Sequence, residues 1–125
     1  MDKTRNYTKG KNGEEIAKKY LEETGMETIE MNFENKLGEI DLVMQDKEWL
    51  VFVEVKLKVG DRYGTPEEMI NKRKLGQVRR VAESFLVMKP QIKKQFQKYR
   101  IDAVAIVLNE DKTIKRIRYY KNLYG

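Results

Sequence analysis

The stretch at residues 49–58, WLVFVEVKLK, decides the fold because its character changes half-way along. Its first half is apolar at every position, as expected for a central strand that is covered on both faces. From Glu54 onwards one face becomes charged, with Glu54, Lys56 and Lys58, while the alternate positions stay apolar. A buried strand that becomes charged on one face toward its end is entering a functional site or leaving the core.

The preceding residues 37–44 predict a second strand, joined to the first by a short polar turn. Asp41 lies in this strand, and the midpoint between Asp41 and Glu54 falls inside the turn. In an antiparallel hairpin the two carboxylates are therefore opposite or diagonal neighbours, with Cβ atoms about 5–8 Å apart.

Two carboxylates this close repel each other unless a positive charge lies between them. A divalent cation meets that need, Lys56 lies on the same face at the edge of the pair, and Glu39 is a further candidate member. This set suits metal-assisted phosphodiester hydrolysis, in which Mg²⁺ polarises a phosphate oxygen and the lysine orients water or stabilises the transition state. By itself the Glu-x-Lys pattern is typical of a solvated strand end.

The absence of two residue types excludes several kinds of site. The 125 residues include no cysteine and no histidine. This excludes disulfide scaffolds, zinc sites built on thiolate or imidazole, and nucleophiles activated by histidine. A metal in this chain is therefore held mainly by oxygen ligands, which suit Mg²⁺, Mn²⁺ or Ca²⁺.

The apolar runs are too short for a membrane protein. The longest, at 49–53 and 103–108, fall far short of the ~20 residues that span a bilayer. Residues 1–6 hold no apolar segment of the kind found in signal peptides. We therefore expect a cytoplasmic protein with no membrane partner.

The positive charge is concentrated in one segment. Residues 69–100 include ten basic residues and one acidic residue, a net charge of +9, whereas the rest of the chain carries −3. A basic segment on an otherwise acidic domain is typical of a protein that binds a nucleic-acid backbone. The alternative on charge alone is a solvated helix face.

The whole pattern predicts an α/β domain with a mixed central sheet flanked by helices and the element order αβββα(α)ββ. Apolar residues at helical spacing predict a first helix between Gly13 and Gly25, and the strand at 37–44 has Ile40, Leu42 and Met44 on one face. A capping box from Thr65 to Glu68 predicts the start of the basic helix. The other predicted elements are strands at 26–33, 99–108 and 113–120 and a short helical turn at 92–99. We expect a flexible segment at residues 1–9 and a single domain over residues 10–125.

Several motifs together resemble the YraN family of small bacterial proteins. They are Gly10-x-x-Gly13-Glu14-x-x-Ala17-x-x-Tyr20-Leu21, Asn32, Gly38-Glu39-Ile40-Asp41-Leu42-Val43, Val51-Phe52-Val53-Glu54-Val55-Lys56, Ile70-Asn71-x-x-Lys74 and Arg100-Ile101-Asp102-Ala103-Val104. The resemblance covers the chain from about Lys9 to Tyr124. It departs from the family at Lys58, where relatives often have arginine, and near 119–122, where many relatives have a histidine.

The family is similar to the restriction-endonuclease-like, or PD-(D/E)XK, superfamily and, within it, to Holliday-junction resolvases. The resemblance implies that Asp41, Glu54 and the carbonyl of Val55 bind Mg²⁺ or Mn²⁺ and that Lys56 is catalytic. Glu14, which by itself is an ordinary acid in a first helical turn, would then complete the acidic site. Resolvases of this type act as dimers on branched DNA, so a homodimer is expected. The residues expected to contact phosphate are Lys58, Lys72, Arg73, Lys74, Arg79 and Arg80.

Three functions remain open from the sequence. The first is a metal-dependent endonuclease acting on DNA, which is favoured over RNA, in branched or otherwise structured form. The second is a nucleic-acid-binding module without catalysis, and the third is a protein-interaction or assembly factor in which the carboxylates are a solvated strand end.

Aromatic residues give no further discrimination between these functions. Five are candidates for base stacking, although their spacings favour core or dimer contacts: Phe85, Phe96, Tyr99, Tyr119 and Tyr120. The loop at 60–64 has glycine at both ends, which is typical of turns.

Overall fold

A computed structural model describes residues 9–60 and 62–123, in which helices cover both faces of one sheet. The elements are α1 (Lys9–Glu23), β1 (Glu27–Asn35), β2 (Gly38–Asp46), β3 (Trp49–Val59), α2 (Lys72–Met88), α3 (Pro90–Gln95), β4 (Lys98–Leu108) and β5 (Ile114–Tyr120), with a 3₁₀ helix at Pro66–Met69. The flexible segment predicted at residues 1–9 lies outside the described residues up to Thr8. No helix in the described ranges is long and apolar enough to cross a membrane.

The sheet has five strands in the order β1-β2-β3-β4-β5. β3 and β4 are parallel, and every other neighbouring pair is antiparallel. The predicted mixed α/β sheet and the element order αβββα(α)ββ are therefore confirmed. β5 lies at one edge, as its more polar sequence predicts.

β3 lies at the centre of the sheet and contributes to two separate cores. Val51, Val53 and Val55 pack into a first cluster beneath α1. Leu50 and Phe52 point the other way, into a second cluster beneath α2. The predicted central strand thus supplies both faces of the core, as its uninterrupted apolar first half requires.

The second cluster is organised around the fully buried Phe85 of α2. Its ring meets those of Phe33 and Phe52 edge-on, with centroids 4.9 and 5.6 Å apart. Edge-to-face pairs of this kind add to the energy of apolar burial. Phe85 therefore fixes the position of α2 over the sheet.

The pairing of β2 with β3 ends just before Asp41 and Glu54. The register runs from Asp46 opposite Trp49 to Leu42 opposite Val53. Beyond that point β2 pairs only with β1, while β3 continues alongside β4 as far as Val59. The two central strands thus separate where the charged half of β3 begins.

The start of the basic helix differs from the prediction. Thr65 makes no side-chain capping bond, and Pro66–Met69 is a short 3₁₀ helix. The 3₁₀ helix ends before Ile70, and α2 begins after Asn71. The side chain of Asn71 accepts a hydrogen bond from the amide of Lys74 at 2.9 Å. Asparagine is among the best N-cap residues, so it starts the helix here in place of the predicted capping box.

The predicted face of β2 is also partly wrong. Leu42 and Met44 pack into the first cluster, but Ile40 packs into the second. The change of side coincides with the separation of β2 from β3. Beside it in β1, Asn32 adopts a left-handed backbone conformation with φ of 56°. Strict alternation therefore fails at this point in the hairpin.

The motif at Arg100 and Asp102 forms a buried polar network. The guanidinium of Arg100 donates to both carboxylate oxygens of Asp102 at 3.1 Å and to Asp46 at 2.8 Å. The hydroxyl of Tyr119 donates to Asp102 at 2.6 Å, and so does the backbone amide of Asn122, at 2.9 Å. These bonds join β2, β4 and β5 and satisfy a carboxylate that is completely buried.

We expect Phe85→Ala to lower the free energy of unfolding by about 3–5 kcal/mol, because it leaves a cavity between α2 and the sheet. Val87→Ala on the same helix is the control, since Val87 is 76% exposed and its loss leaves no cavity. Urea unfolding of both variants measures the difference. Equal stabilities would contradict the assigned core.

Candidate active site

Asp41 occupies the point at which β2 and β3 separate. One carboxylate oxygen accepts a hydrogen bond from the backbone amide of Val55 at 2.7 Å. This bond replaces the strand pairing that ends at Val53 and satisfies a buried amide. It also holds the Asp41 carboxylate against β3, next to Glu54.

α1 brings a second carboxylate to the same place. Gly13 lies so close to β3 that a Cβ there would come within 3.2 Å of the Leu57 Cβ and 3.5 Å of a Val55 methyl group. The absence of a side chain therefore allows α1 to approach the strand. Glu14, the next residue, is thereby placed beside Asp41.

Glu14 and Asp41 interact directly. In its protonated form Glu14 donates a hydrogen bond to the Asp41 carboxylate, and the side chain of Asn32 also bonds to Glu14. Burial, followed by the charge and hydrogen bond of Asp41 and the charge of Glu39, raises the pKa of Glu14 to about 7. Burial likewise raises the pKa of Asp41, against the opposing effects of the Val55 amide and Lys56. The predicted contribution of Glu39 is thus electrostatic.

Glu54 lies between the acidic pair and two lysines. Its carboxylate is 3.4 Å from the Lys56 ammonium and 3.7 Å from that of Lys74. Its side chain is only 3% exposed. Burial and the charge of Asp41 raise the pKa of Glu54 to about 7, although Lys74 and Lys56 both act to lower it. The cluster therefore concentrates more negative charge than its two lysines neutralise.

The donor atoms fit a hard divalent cation, but their present arrangement is not a closed metal site. Burial and the charge of Asp41 raise the pKa values of Glu14 and Glu54, so an added positive charge stabilises the cluster. Oxygen ligands suit Mg²⁺ or Mn²⁺. Within the described ranges, however, no group of three or more acidic side chains could hold an ion as arranged. Glu14 and Asp41 face each other, and Glu54 is engaged by its lysines.

The backbone of Val55 enters the site through its amide, which binds Asp41. The sequence motif instead implicates the Val55 carbonyl as a metal ligand, and that role stays a prediction.

The six basic residues predicted to contact phosphate have different surroundings. Lys74 belongs to the carboxylate cluster, and the Lys58 ammonium donates to the carbonyl of Tyr63 at 3.4 Å. Arg79 is turned toward Glu83, at 3.3 Å, along the same helix. The remaining three are exposed on α2: Lys72, Arg73 and Arg80.

Three cavities in the described part of the chain lie away from the cluster. Their volumes are about 280, 510 and 590 Å³, and none is lined by a residue of the cluster. The 510 Å³ cavity is lined by Arg79, Tyr99 and Ile101, beside the beginning of β4. The candidate site thus lies outside these cavities, at the end of the β2–β3 pairing.

The five candidate stacking residues are mostly engaged within the fold. Phe85 and Phe96 are buried, and the Tyr119 hydroxyl binds Asp102. The Tyr120 hydroxyl binds Glu67 at 2.6 Å, and Tyr99 is 38% exposed. The sequence did not single out Tyr63, which is 84% exposed. No local signal separates it from the other tyrosines, because exposure depends on what packs around a residue.

Asn32 is a second residue to which the sequence assigned no role. In the sequence it is only the polar residue between the apolar residues Met31 and Phe33 of a predicted strand. Asparagine tolerates the left-handed conformation found there better than most residues. This conformation accompanies the hydrogen bond from Asn32 to Glu14.

Comparison with known proteins identifies a family. The model of "Uncharacterised protein family UPF0102" matches residues 13–106. A UPF0102 protein of Clostridium botulinum (strain 657 / Type Ba4) is 37% identical over 115 residues, which cover 92% of each chain. A UPF0102 protein of Rhodococcus opacus (strain B4) is 39% identical over 103 residues, 82% of this chain and 85% of that one. The match thus includes the acidic residues, Lys56 and Lys74.

We expect Glu14→Gln to raise the melting temperature of the metal-free protein at pH 8 and to change it little at pH 5. The pKa of Glu14 is about 7 in the folded protein against the usual 4.5, so the folded state binds more protons between these values. Stability therefore falls as the pH rises through this window. Glutamine removes the charge and can still donate to Asp41.

Thermal unfolding in EDTA tests this prediction, with a rise of a few degrees expected at pH 8. Glu15→Gln is the matched control, because the adjacent Glu15 is exposed. A fall in melting temperature for Glu14→Gln at pH 8 would show that the Glu14 charge is stabilising and contradict the interpretation.

Proposed function

The chain belongs to the UPF0102 (YraN) family, and from the site it carries we propose that it is a metal-dependent endonuclease that hydrolyses phosphodiester bonds in DNA. The observation that carries the proposal is the cluster of Asp41, Glu54 and Lys56 at the point where β2 and β3 separate. The resemblance of these motifs to the PD-(D/E)XK superfamily supports the same reading.

In this proposal Asp41, Glu14, Glu54 and the Val55 carbonyl would hold Mg²⁺ or Mn²⁺. Glu54 would have to turn away from Lys56 and Lys74 to contribute a carboxylate oxygen. A bound divalent cation supplies positive charge against a phosphate oxygen and promotes the deprotonation of water. Burial and the charge of Asp41 raise the pKa values of both Glu14 and Glu54, and this makes the place favourable for a cation.

The two lysines act on the phosphate itself. When Glu54 is not paired with them, the ammonium groups of Lys56 and Lys74 would be free to donate to phosphate oxygens. Hydrogen bonds from fixed cations stabilise the charge that develops on phosphorus-bound oxygens in the transition state. The Asp41–Val55 bond keeps β3 in position, so that Lys56 is presented to the phosphate without a large movement of the strand.

The exposed basic face of α2 supports DNA as the substrate. Lys72, Arg73 and Arg80 are exposed on the helix that also supplies Lys74 to the cluster. A polyanion lying along α2 would therefore meet these residues and the carboxylate site together. By resemblance to the resolvases we further propose a cytoplasmic homodimer acting on branched DNA.

A nucleic-acid-binding module without catalysis is the second candidate. It is favoured by one observation, the engagement of Glu54 by both lysines in a cluster that is not arranged as a closed metal site. Binding that survives EDTA, with no cleavage in Mg²⁺ or Mn²⁺, would support this alternative and exclude the nuclease.

We expect Glu54→Ala and Lys56→Ala each to reduce metal-dependent cleavage of DNA by at least about 100-fold, because each removes a charge that acts on the metal or the phosphate. Labelled four-way junction, flap, single-stranded and duplex DNA are incubated with Mg²⁺, Mn²⁺ or EDTA. Glu48→Ala is the control, since Glu48 is exposed and pairs with Lys98 outside the cluster. Unchanged cleavage by Glu54→Ala would exclude this active site.

We expect the triple variant Lys72→Ala, Arg73→Ala, Arg80→Ala to bind DNA with a weaker dependence on salt. Each lost phosphate contact reduces the slope of log K against log salt by about 0.9 for duplex DNA. The control is the double variant Lys93→Ala, Lys94→Ala, which removes exposed charges from α3. Equal slopes for the triple variant and the wild type would show that DNA does not lie along α2.

A further inference from the structure

Among the described residues, Tyr63 has the most exposed large apolar side chain, at 84%. It lies in the segment between β3 and α2, the two elements that supply Lys56 and Lys74 to the cluster. A single exposed aromatic residue is ordinary on a protein surface. The position of Tyr63 and its neighbouring contacts are what distinguish it.

Tyr63 is tied to the charged side of β3. The ammonium of Lys58 donates to the Tyr63 carbonyl at 3.4 Å. Lys58 follows Lys56 by two residues, so their side chains share a face of the strand and their Cα atoms are about 7 Å apart. Tyr63 is therefore bonded to the strand that carries Lys56, the lysine that the proposed function places on the scissile phosphate.

The chain on either side of Tyr63 is anchored. Before it, the amide of Gly60 donates to the carbonyl of Leu108 at 2.7 Å. After it, the Glu67 carboxylate accepts hydrogen bonds from Arg116 at 3.2 Å and from the Tyr120 hydroxyl at 2.6 Å. These contacts join the segment to β4 and β5. They fix the two ends of the segment, which lowers the entropic cost of ordering it on a ligand.

A cation lies over the Tyr63 ring. The guanidinium carbon of Arg62 lies 5.7 Å from the centre of the ring, within the range of a cation–π interaction. Lys58 bonds to the backbone carbonyl of the same tyrosine, and Glu68 lies against Gly64 on the other side. An exposed ring with a cation beside it matches the platforms on which proteins stack nucleobases while cations contact the backbone.

We propose that Tyr63 stacks on an unpaired nucleobase of the bound DNA, so that the substrate is DNA with a single-stranded segment or branch. This inference rests on the proposed function. In an intact duplex both faces of a base are covered by its neighbours, so the ring can reach only an unpaired, terminal or extruded base. Tyr63 is then a specificity-determining residue that favours unpaired DNA over regular duplex.

Equilibrium binding in EDTA tests the inference without requiring cleavage. Fluorescence anisotropy measures the Kd of the wild type and of Tyr63→Ala, Tyr63→Phe and Tyr99→Ala for a labelled single strand, a flap and a duplex of the same sequence. We expect Tyr63→Ala to raise the Kd for the single strand and flap by about 5- to 150-fold, the range measured for loss of one stacked base. The Kd for the duplex should change less than about twofold.

Two variants separate stacking from other effects. Tyr63→Phe keeps the ring and should bind the single strand within about twofold of the wild type. Tyr99→Ala removes a partly exposed tyrosine near the start of β4 and should leave every Kd unchanged. 2-Aminopurine placed in the single-stranded arm of the flap should be quenched on binding by the wild type and Tyr63→Phe, but not by Tyr63→Ala.

Different results would contradict the stacking role of Tyr63 and the proposed nuclease activity. Equal binding of the single strand by Tyr63→Ala and wild type, or an equal loss on duplex, would overturn the stacking role and leave the nuclease proposal standing. Wild-type protein that binds the flap with the expected Tyr63 dependence but cuts no DNA in Mg²⁺ or Mn²⁺ would support stacking and exclude the nuclease. Wild-type protein that binds no DNA would overturn both.

Discussion

The buried hydrogen bond from the Val55 amide to the Asp41 carboxylate, 2.7 Å long, holds the candidate site together. Pairing between β2 and β3 ends at Leu42 and Val53, so without this bond a buried amide would lose its partner. An unsatisfied buried amide is costly, which makes the Asp41 carboxylate part of the fold as well as part of the site. The separation of the strands creates the space in which the other carboxylates and Lys56 meet.

That space holds more negative charge than is favourable for stability. Burial raises the pKa values of Glu14, Asp41 and Glu54, and the charge of Asp41 raises those of Glu14 and Glu54 further. The lysines at 56 and 74 oppose the shifts of Asp41 and Glu54 only in part. Such an arrangement is typical of functional sites, where stability is given up for chemistry. The rest of the domain compensates with two apolar clusters and a satisfied Arg100–Asp102 network. A cation or a phosphate would relieve the site in opposite ways, the first by neutralising the carboxylates and the second by engaging the lysines.

α2 serves the core and the site at the same time. Phe85 packs against two rings of the sheet, and Lys74, in the first turn, reaches Glu54. In the segment between β3 and α2, the Glu67 carboxylate accepts hydrogen bonds from Arg116 and Tyr120 of the edge strand β5. The position of the helix relative to β3 therefore depends on contacts with β5, which is separated from β3 by one strand, β4.

The sequence by itself determined the order of the elements, the mixed sheet and the central strand, because apolar periodicity and turn residues act over a few positions. It also brought Asp41 and Glu54 together, since a hairpin register follows from its turn. Only the tertiary structure decided that Ile40 changes side and that Glu54 pairs with Lys74. The tertiary structure also decided that Asn32 lies beside Glu14 and that Tyr63 is exposed. These features depend on contacts between residues distant in the chain, and local patterns contain no information about which distant partner will be there.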